Sequence, residues 1–282
     1  MATRNLMPPS LPSSRREILC LLGCAALSAA ALRPAHAAET RLGRLIAQAR
    51  SKGSISQRIE FISASLRGTR YLGYTLIGGP RRPEEFVVRD DGFDCVTFCE
   101  TVLAAAIAER REEFDSVLRT IRYHNGVVSW RERNHYFFEW GTHNVENKIC
   151  RPVDMSGSVE IEKNVYWHKA LGRRHFSMNV IPRAVFLANK SLLVPGDIVG
   201  FITQRPNLDY FHVGFVAFGD GGKLLLRHAS QSRRRVLDER MDQFVAVNRV
   251  RYVTLLRPTE PRAVAGSIRP YAAAAFGFTS AV

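Results

Sequence analysis

The chain has 282 residues, 46% apolar and 23% charged, a composition that excludes a polymer without a packed core and allows one large domain or two small ones. Its formal net charge of +14 suits attraction to an anionic polymer, whether nucleic acid, anionic lipid or cell wall. The arginines are dispersed and no nucleic-acid-binding motif accompanies them, so nucleic acid is not the expected partner.

Residues 1–37 read as a cleavable export signal. Ser14-Arg15-Arg16-Glu17-Ile18-Leu19 precedes an apolar run to Leu32, and Ala35-His36-Ala37 offers a small-residue cleavage site. The paired arginines resemble a twin-arginine signal, which carries folded proteins across a membrane. The run is broken by Gly23 and Arg33 and falls short of the roughly 20 apolar residues of a span. The expected location is therefore periplasmic or secreted, with no membrane span once the signal is gone. Removing four arginines and one glutamate with this segment takes the charge from +14 to +11. Cys20 and Cys24 leave too, so Cys95, Cys99 and Cys150 remain, and an odd number leaves at least one free thiol. Cys95 and Cys99 stand four apart on a predicted helix, a spacing that does not readily satisfy disulfide geometry. A Cys99–Cys150 bridge stays open.

A single domain is expected over 38–258, with an inserted region at about 127–190 and a loose tail at 259–282. Leu42, Leu45 and Ile46, then Ile55, Ile59, Ile62 and Leu66, recur at helical spacing and predict two short helices broken at Gly53. Residues 68–80 form a glycine-bearing loop, which continues extended to Asp91. A helix follows over about 95–110, with Asp94 as its N-cap and Val96, Cys99, Val102, Leu103, Ala106 and Ile107 on its apolar face. A second helix at 112–123 closes at Asn125-Gly126. The stretch 127–190 is aromatic and basic and reads as an elaboration, with a substrate wall as one use. Strand-like runs at 197–203, 211–218, 223–229 and 250–256 complete an α+β class.

The sharpest feature is Cys95 at a helix start, with His212 and His228 on later strand-like runs. A helix N-terminus lowers a thiol pKa and an imidazole can take its proton, so the pattern predicts a cysteine-dependent amide hydrolase. Simpler roles exist for each residue: Cys95 as core, His212 as a sheet histidine, His228 as packing. Asp94 reads as a cap before a catalyst, and Asp209 either backs the site or turns the chain. Neither His-x3-His nor Cys-x2-Cys occurs, so no metal and no cofactor are expected.

These residues resemble the NlpC/P60 superfamily of papain-like cell-wall hydrolases, and within it a family described as N-acetylmuramoyl-L-alanine amidase-like. Gly68-Thr-Arg-Tyr71, Phe93-Asp-Cys-Val-Thr-Phe-Cys-Glu-Thr101, Ile121-Arg-Tyr, Arg133-Asn-His-Tyr with Trp140 and Asn144, and His212-Val-Gly with His228-Ala-Ser carry the likeness, across roughly 64–257. The resemblance implies a papain-like fold whose nucleophile begins a helix packed on an antiparallel sheet. It implies Cys95 as nucleophile, His212 as base and His228 as orienting residue. The Cys95 amide and Tyr71 become candidate oxyanion donors, and His135 a candidate lining residue. Arg70 replaces the family's proline before the tyrosine. The implied substrate is peptidoglycan or its muropeptide fragments, cut at the muramoyl-L-alanine amide through a thioester. A stem-peptide endopeptidase cutting after D-glutamate, a non-catalytic wall-binding domain and an acyltransferase are the alternatives.

Overall fold

A computed structural model describes residues 40–261; the export segment at 1–37 and residues 262–282 of the expected tail lie outside the described residues. Thr40 caps the first helix, Arg41–Ala49 (α1), through its hydroxyl and the Gly43 amide. Ser54 and Gln57 form a capping box that starts Ile55–Ser65 (α2) after Gly53, as the break in spacing predicts. Asp94 opens Cys95–Ile107 (α3), and Arg111–Arg122 (α4) follows.

The sequence marks one apolar face on α3, but the structure buries it on every side: Thr97 through Ile107 are all buried. Ala104, Ala105 and Ala106 let neighbouring helices close in where larger side chains would hold them off. Such an all-round apolar helix belongs at the centre of a fold, and α3 lies between α2, α4 and the sheet.

The first strands are short: Arg70–Tyr71 (β1), then a hairpin of Ile77–Gly79 (β2) and Arg82–Glu85 (β3), then Gly92–Phe93 (β4). The hairpin occupies part of the expected loop. Its Glu84 carboxylate curls over Gly78, where a Cβ would lie 1.9 Å from the Glu84 Oε2. Glu84 then receives Arg133 Nη1 and the Tyr123 hydroxyl, each at 3.0 Å.

Residues 127–190 supply Phe137–Glu146 (α5), Cys150–Pro152 (β5), Val159–Val165 (β6), Arg174–Pro182 (β7) and Arg183–Ala188 (α6). Ile198–Ile202 (β8), Tyr210–Gly219 (β9), Lys223–Ser230 (β10) and Arg235–Arg240 (β11) come next, then Met241–Val247 (α7) and Tyr252–Pro258 (β12). One sheet runs β4-β1-β11-β10-β9-β8-β12-β7-β6, with β5 paired to β12. The β1–β4 pair is parallel; the other pairs are antiparallel. Helices α1 to α5 pack one core against Val213, Phe215 and Ala229. A second core on the opposite face gathers Phe186, Phe201, Val216, Leu226, Met241 and Phe244. The class is thus α+β with a curled, mainly antiparallel sheet. Thr259 is tied to Ile149 and the Glu260 carboxylate to the Ile55 amide, so the chain stays anchored two residues past β12.

Candidate active site

Asp94 and Thr97 form a reciprocal capping box: the Thr97 amide donates to Asp94 Oδ1 at 2.8 Å and the Asp94 amide to Thr97 Oγ1 at 3.0 Å. That box fixes Cys95 as the first helical residue. The thiol is half-buried, and the amides of Val213, Cys95 itself and Val96 all point at it. The Val213 amide belongs to the peptide that joins His212 to Val213, so α3 delivers the thiol to the backbone of β9 beside His212.

His212 Nε2 lies 2.6 Å from His228 Nδ1, with the rings perpendicular. His228 Nε2 lies 2.9 Å from Glu239 Oε2 on β11. A carboxylate only accepts, so His228 carries its proton at Nε2 and, when neutral, offers Nδ1 as acceptor. His212 then donates from Nε2, and its Nδ1 keeps a free lone pair. Gly214 makes the approach possible: a Cβ there would stand 2.9 Å from the His228 Cβ and 2.7 Å from Leu226 Cδ1. Phe201 and Phe244 pack on the His212 ring, with Phe244 also against His228.

Electrostatics correct one sequence expectation. Helix-terminal amides do draw the Cys95 pKa down, but burial and then the Asp94 carboxylate push it up to about 12. His212 is pushed down to about 3 by burial and by its neighbour His228. Burial thus favours the neutral form of both groups over a preformed thiolate–imidazolium pair.

The remaining predicted residues divide. Tyr71 is half-buried near the thiol; burial, then the charges of Cys95 and Asp94, raise its pKa to about 12, so its hydroxyl keeps its proton. His135 instead packs between Trp130 and Trp167, with Nε2 at 2.6 Å from the Trp130 carbonyl and a pKa pushed by burial down to about 4. It lines a polar cavity of about 160 Å³ with Arg131, Glu139 and Arg174, away from Cys95. Asp209 is buried and gives its carboxylate to the amides of Phe138 and Tyr210, at 2.7 and 2.9 Å. It caps α5 from across the fold, because Tyr136 at the N-cap position has no capping side chain. The stretch Ile121-Arg-Tyr and Asn144 also resolve into structure: Arg122 pairs with buried Glu100 at 2.8 Å, and Asn144 donates to the Ile121 carbonyl.

Glu239 was not legible as part of this group. It sits on β11, a strand whose entering turn, Gln231 to Arg234, carries no Gly or Asn, and a His-x10-Glu separation has no meaning until the β10–β11 register is known. All three cysteines of the described residues are free, Cys99 and Cys150 both buried. No group of three or more His, Cys, Asp or Glu among the described residues could hold a metal ion. A larger apolar cavity of about 280 Å³ lies between α5, β7 and β12 and contains none of Cys95, His212 or His228.

The model of the N-acetylmuramoyl-L-alanine amidase-like family, also described as AmiA-like, matches residues 61–251, and the chain belongs to that family. No match is found among curated proteins. Among solved structures, a Legionella pneumophila protein superposes with a TM-score of 0.70 at 22% identity, over 81% of this chain and 97% of its own. An N-acetylmuramoyl-L-alanine amidase from Bacteroides uniformis gives 0.62 at 24% identity, over 70% of this chain and 97% of its own. A second structure of an amidase so named from that organism gives 0.62 at 22% identity, over 78% of this chain and 100% of its own.

Proposed function

We propose that the protein is a cysteine-dependent amidase that hydrolyses the amide between N-acetylmuramic acid and L-alanine in peptidoglycan or its fragments, with the papain-like site of the NlpC/P60 superfamily. Family membership supports the substrate class. Two observations support the chemistry: the Cys95 thiol at the Val213 amide, and, from the preceding residue of the same strand, the chain of contacts from His212 through His228 to Glu239.

In this reading the thiol proton passes to His212 Nδ1 as Sγ attacks the amide carbonyl. The oxyanion is met by the Cys95 amide and the Tyr71 hydroxyl. The C–N bond breaks as His212 returns the proton to the leaving amine, which leaves a thioester. His212 then takes a proton from water, the hydroxide attacks the thioester carbonyl, and Sγ departs and is reprotonated. His228 and Glu239 hold the base in the tautomer that these steps need. The basic leader of residues 1–37 fits export to the compartment that holds peptidoglycan.

Mass spectrometry of muropeptides incubated with the protein tests the proposal. Release of intact stem peptide by wild type but not by Cys95→Ala or His212→Ala is the expected result. A shortened stem would reassign the enzyme as an endopeptidase. Transfer of the acyl group to an added amine would make it an acyltransferase. Binding without cleavage would make it a wall-binding domain.

A further inference from the structure

Arg233 and Arg234 end the turn between β10 and β11 and Arg235 opens β11; all three are exposed. Among the described residues none of these three side chains has a hydrogen-bond or ion-pair partner. The turn is nonetheless held firmly. The Arg233 amide donates to Ser230 Oγ at 3.3 Å, the Arg234 amide to the Gln231 carbonyl at 3.3 Å, and Arg234 takes a left-handed φ of 61°. A non-glycine residue in that region has a small conformational cost, so the backbone of this turn is constrained.

The position of this turn is the second observation. The Tyr71 amide donates to the Arg234 carbonyl at 2.9 Å, and Arg70 pairs with Arg235 across β1 and β11. Tyr71 is the residue whose ring lies within electrostatic reach of Cys95 and Asp94. The arginine turn therefore borders the nucleophile's own rim. Next to it, Arg70 and Arg89 share one carboxylate, Asp91, at 2.5 and 2.8 Å. With Asp90 and Asp91 counted, the rim retains a surplus of positive charge. The carboxylates further along β11 do not offset it: Asp238 is held by Arg227 and Arg67, and Glu239 faces His228.

We infer that the Arg233–Arg235 turn is a substrate subsite that recognises the free carboxylates of the stem peptide attached to the scissile amide. This rests on the amidase reading above. Guanidinium forks suit carboxylates in particular, because two parallel N–H donors match two oxygens. The turn would act mainly on substrate capture and less on the chemical step, since it stands at the rim and touches none of the reacting groups.

The test compares muropeptides whose stem carboxylates are free with the same compounds amidated. Binding is measured by calorimetry in the Cys95→Ala protein, and turnover in the active protein. Combined Arg233→Glu, Arg234→Glu and Arg235→Glu substitution should raise KM about tenfold for the free-carboxylate substrate with kcat nearly unchanged, three weak exposed pairs being lost. Binding of the amidated compound should change little, and added salt should reproduce much of the loss. Replacement of all three by lysine, which keeps the charge, should recover part of the affinity and controls for folding.

Equal dependence on the arginines for free and amidated compounds would overturn the inference and leave the amidase reading intact. Loss of binding to anionic phosphatidylglycerol vesicles alone would assign the turn to a membrane surface instead. A wild type that cleaves no muropeptide would remove the amidase reading; unchanged calorimetric binding in the triple variant would then remove this inference too.

Discussion

Glu239 stands behind His228, its Oε2 2.9 Å from the ring Nε2, and so decides which nitrogen of His212, one imidazole further on, is free. Replacing Glu239 with glutamine removes the carboxylate that demands a donor. The pair of rings can then hold either tautomer. We expect kcat to fall by at least about 10- to 100-fold, the range seen when a carboxylate that orients a metal-ligating histidine is lost, with KM little changed. Imidazole nitrogen NMR shifts give a readout independent of turnover. His228 should show a single protonated Nε2 in wild type and mixed tautomers in the variant. Identical spectra would remove Glu239 from the relay.

The Cys95 thiol should react slowly at rest. Burial and Asp94 hold its pKa up at about 12, so alkylation by iodoacetamide at pH 7 should lag behind free cysteine and climb steadily toward alkaline pH. Asp94→Asn keeps a capping side chain while removing the negative charge. It should lower the thiol pKa and speed alkylation. A rate that levels off near pH 6 would show a preformed thiolate and contradict this balance.

Acid should weaken the fold through the same site. The ordinary histidine value is 6.5, and folded His212 is pushed down to about 3 by burial and by His228. Between those values the unfolded chain binds a proton that folded His212 refuses. Protons therefore favour unfolding across this window, and stability rises with pH through it. The slope is about 1.4 kcal/mol per pH unit for each such group. His228 and His135 are also lowered and add to it with the same sign. Urea unfolding of wild type and His212→Gln between pH 4 and 7 measures the difference, and parallel curves would contradict it.

How much of this the residues revealed depends on the range of the interaction involved. Helices α1 and α2 follow from apolar spacing and the break at Gly53, signals that act within one or two turns. The placement of Cys95 at a helix start is legible because its cap, Asp94, is its neighbour. The role of Asp209 is not, because the helix that it caps begins some 70 residues earlier in the chain. Glu239 failed for a similar reason, and β11 carries no turn-forming glycine to announce it. His135 lies in a stretch, Arg133-Asn-His-Tyr136, that resembles the family, yet its ring packs in an aromatic cluster.

The buried Arg122–Glu100 pair offers a stability test away from the thiol. Both side chains are 3% exposed, 2.8 Å apart, and Arg122 also donates to the Val87 carbonyl. Burial raises the Glu100 pKa even against this partner. Arg122→Met alone should cost about 3–5 kcal/mol, since it leaves a carboxylate without a counter-charge. Adding Glu100→Gln should recover a substantial part, and chemical denaturation would read both. Equal losses in the single and double variants would mean that packing, not charge, dominates there.

Strand β12 begins at Tyr252, one residue beyond the matched segment 61–251, yet it lies between β8 and β7 in the middle of the sheet. Its Arg257 reaches back to Asp197 at 2.7 Å. At the other end, Glu60 and Ser63 of α2 grip the buried Arg227, the residue directly before His228. A protein trimmed to the recognisable stretch would lose its central staple and one side of that clamp, and would expose two raw strand edges in their place. The folding unit here is therefore wider than the stretch that matches the family, and experiments that dissect the chain should cut outside residues 40–260.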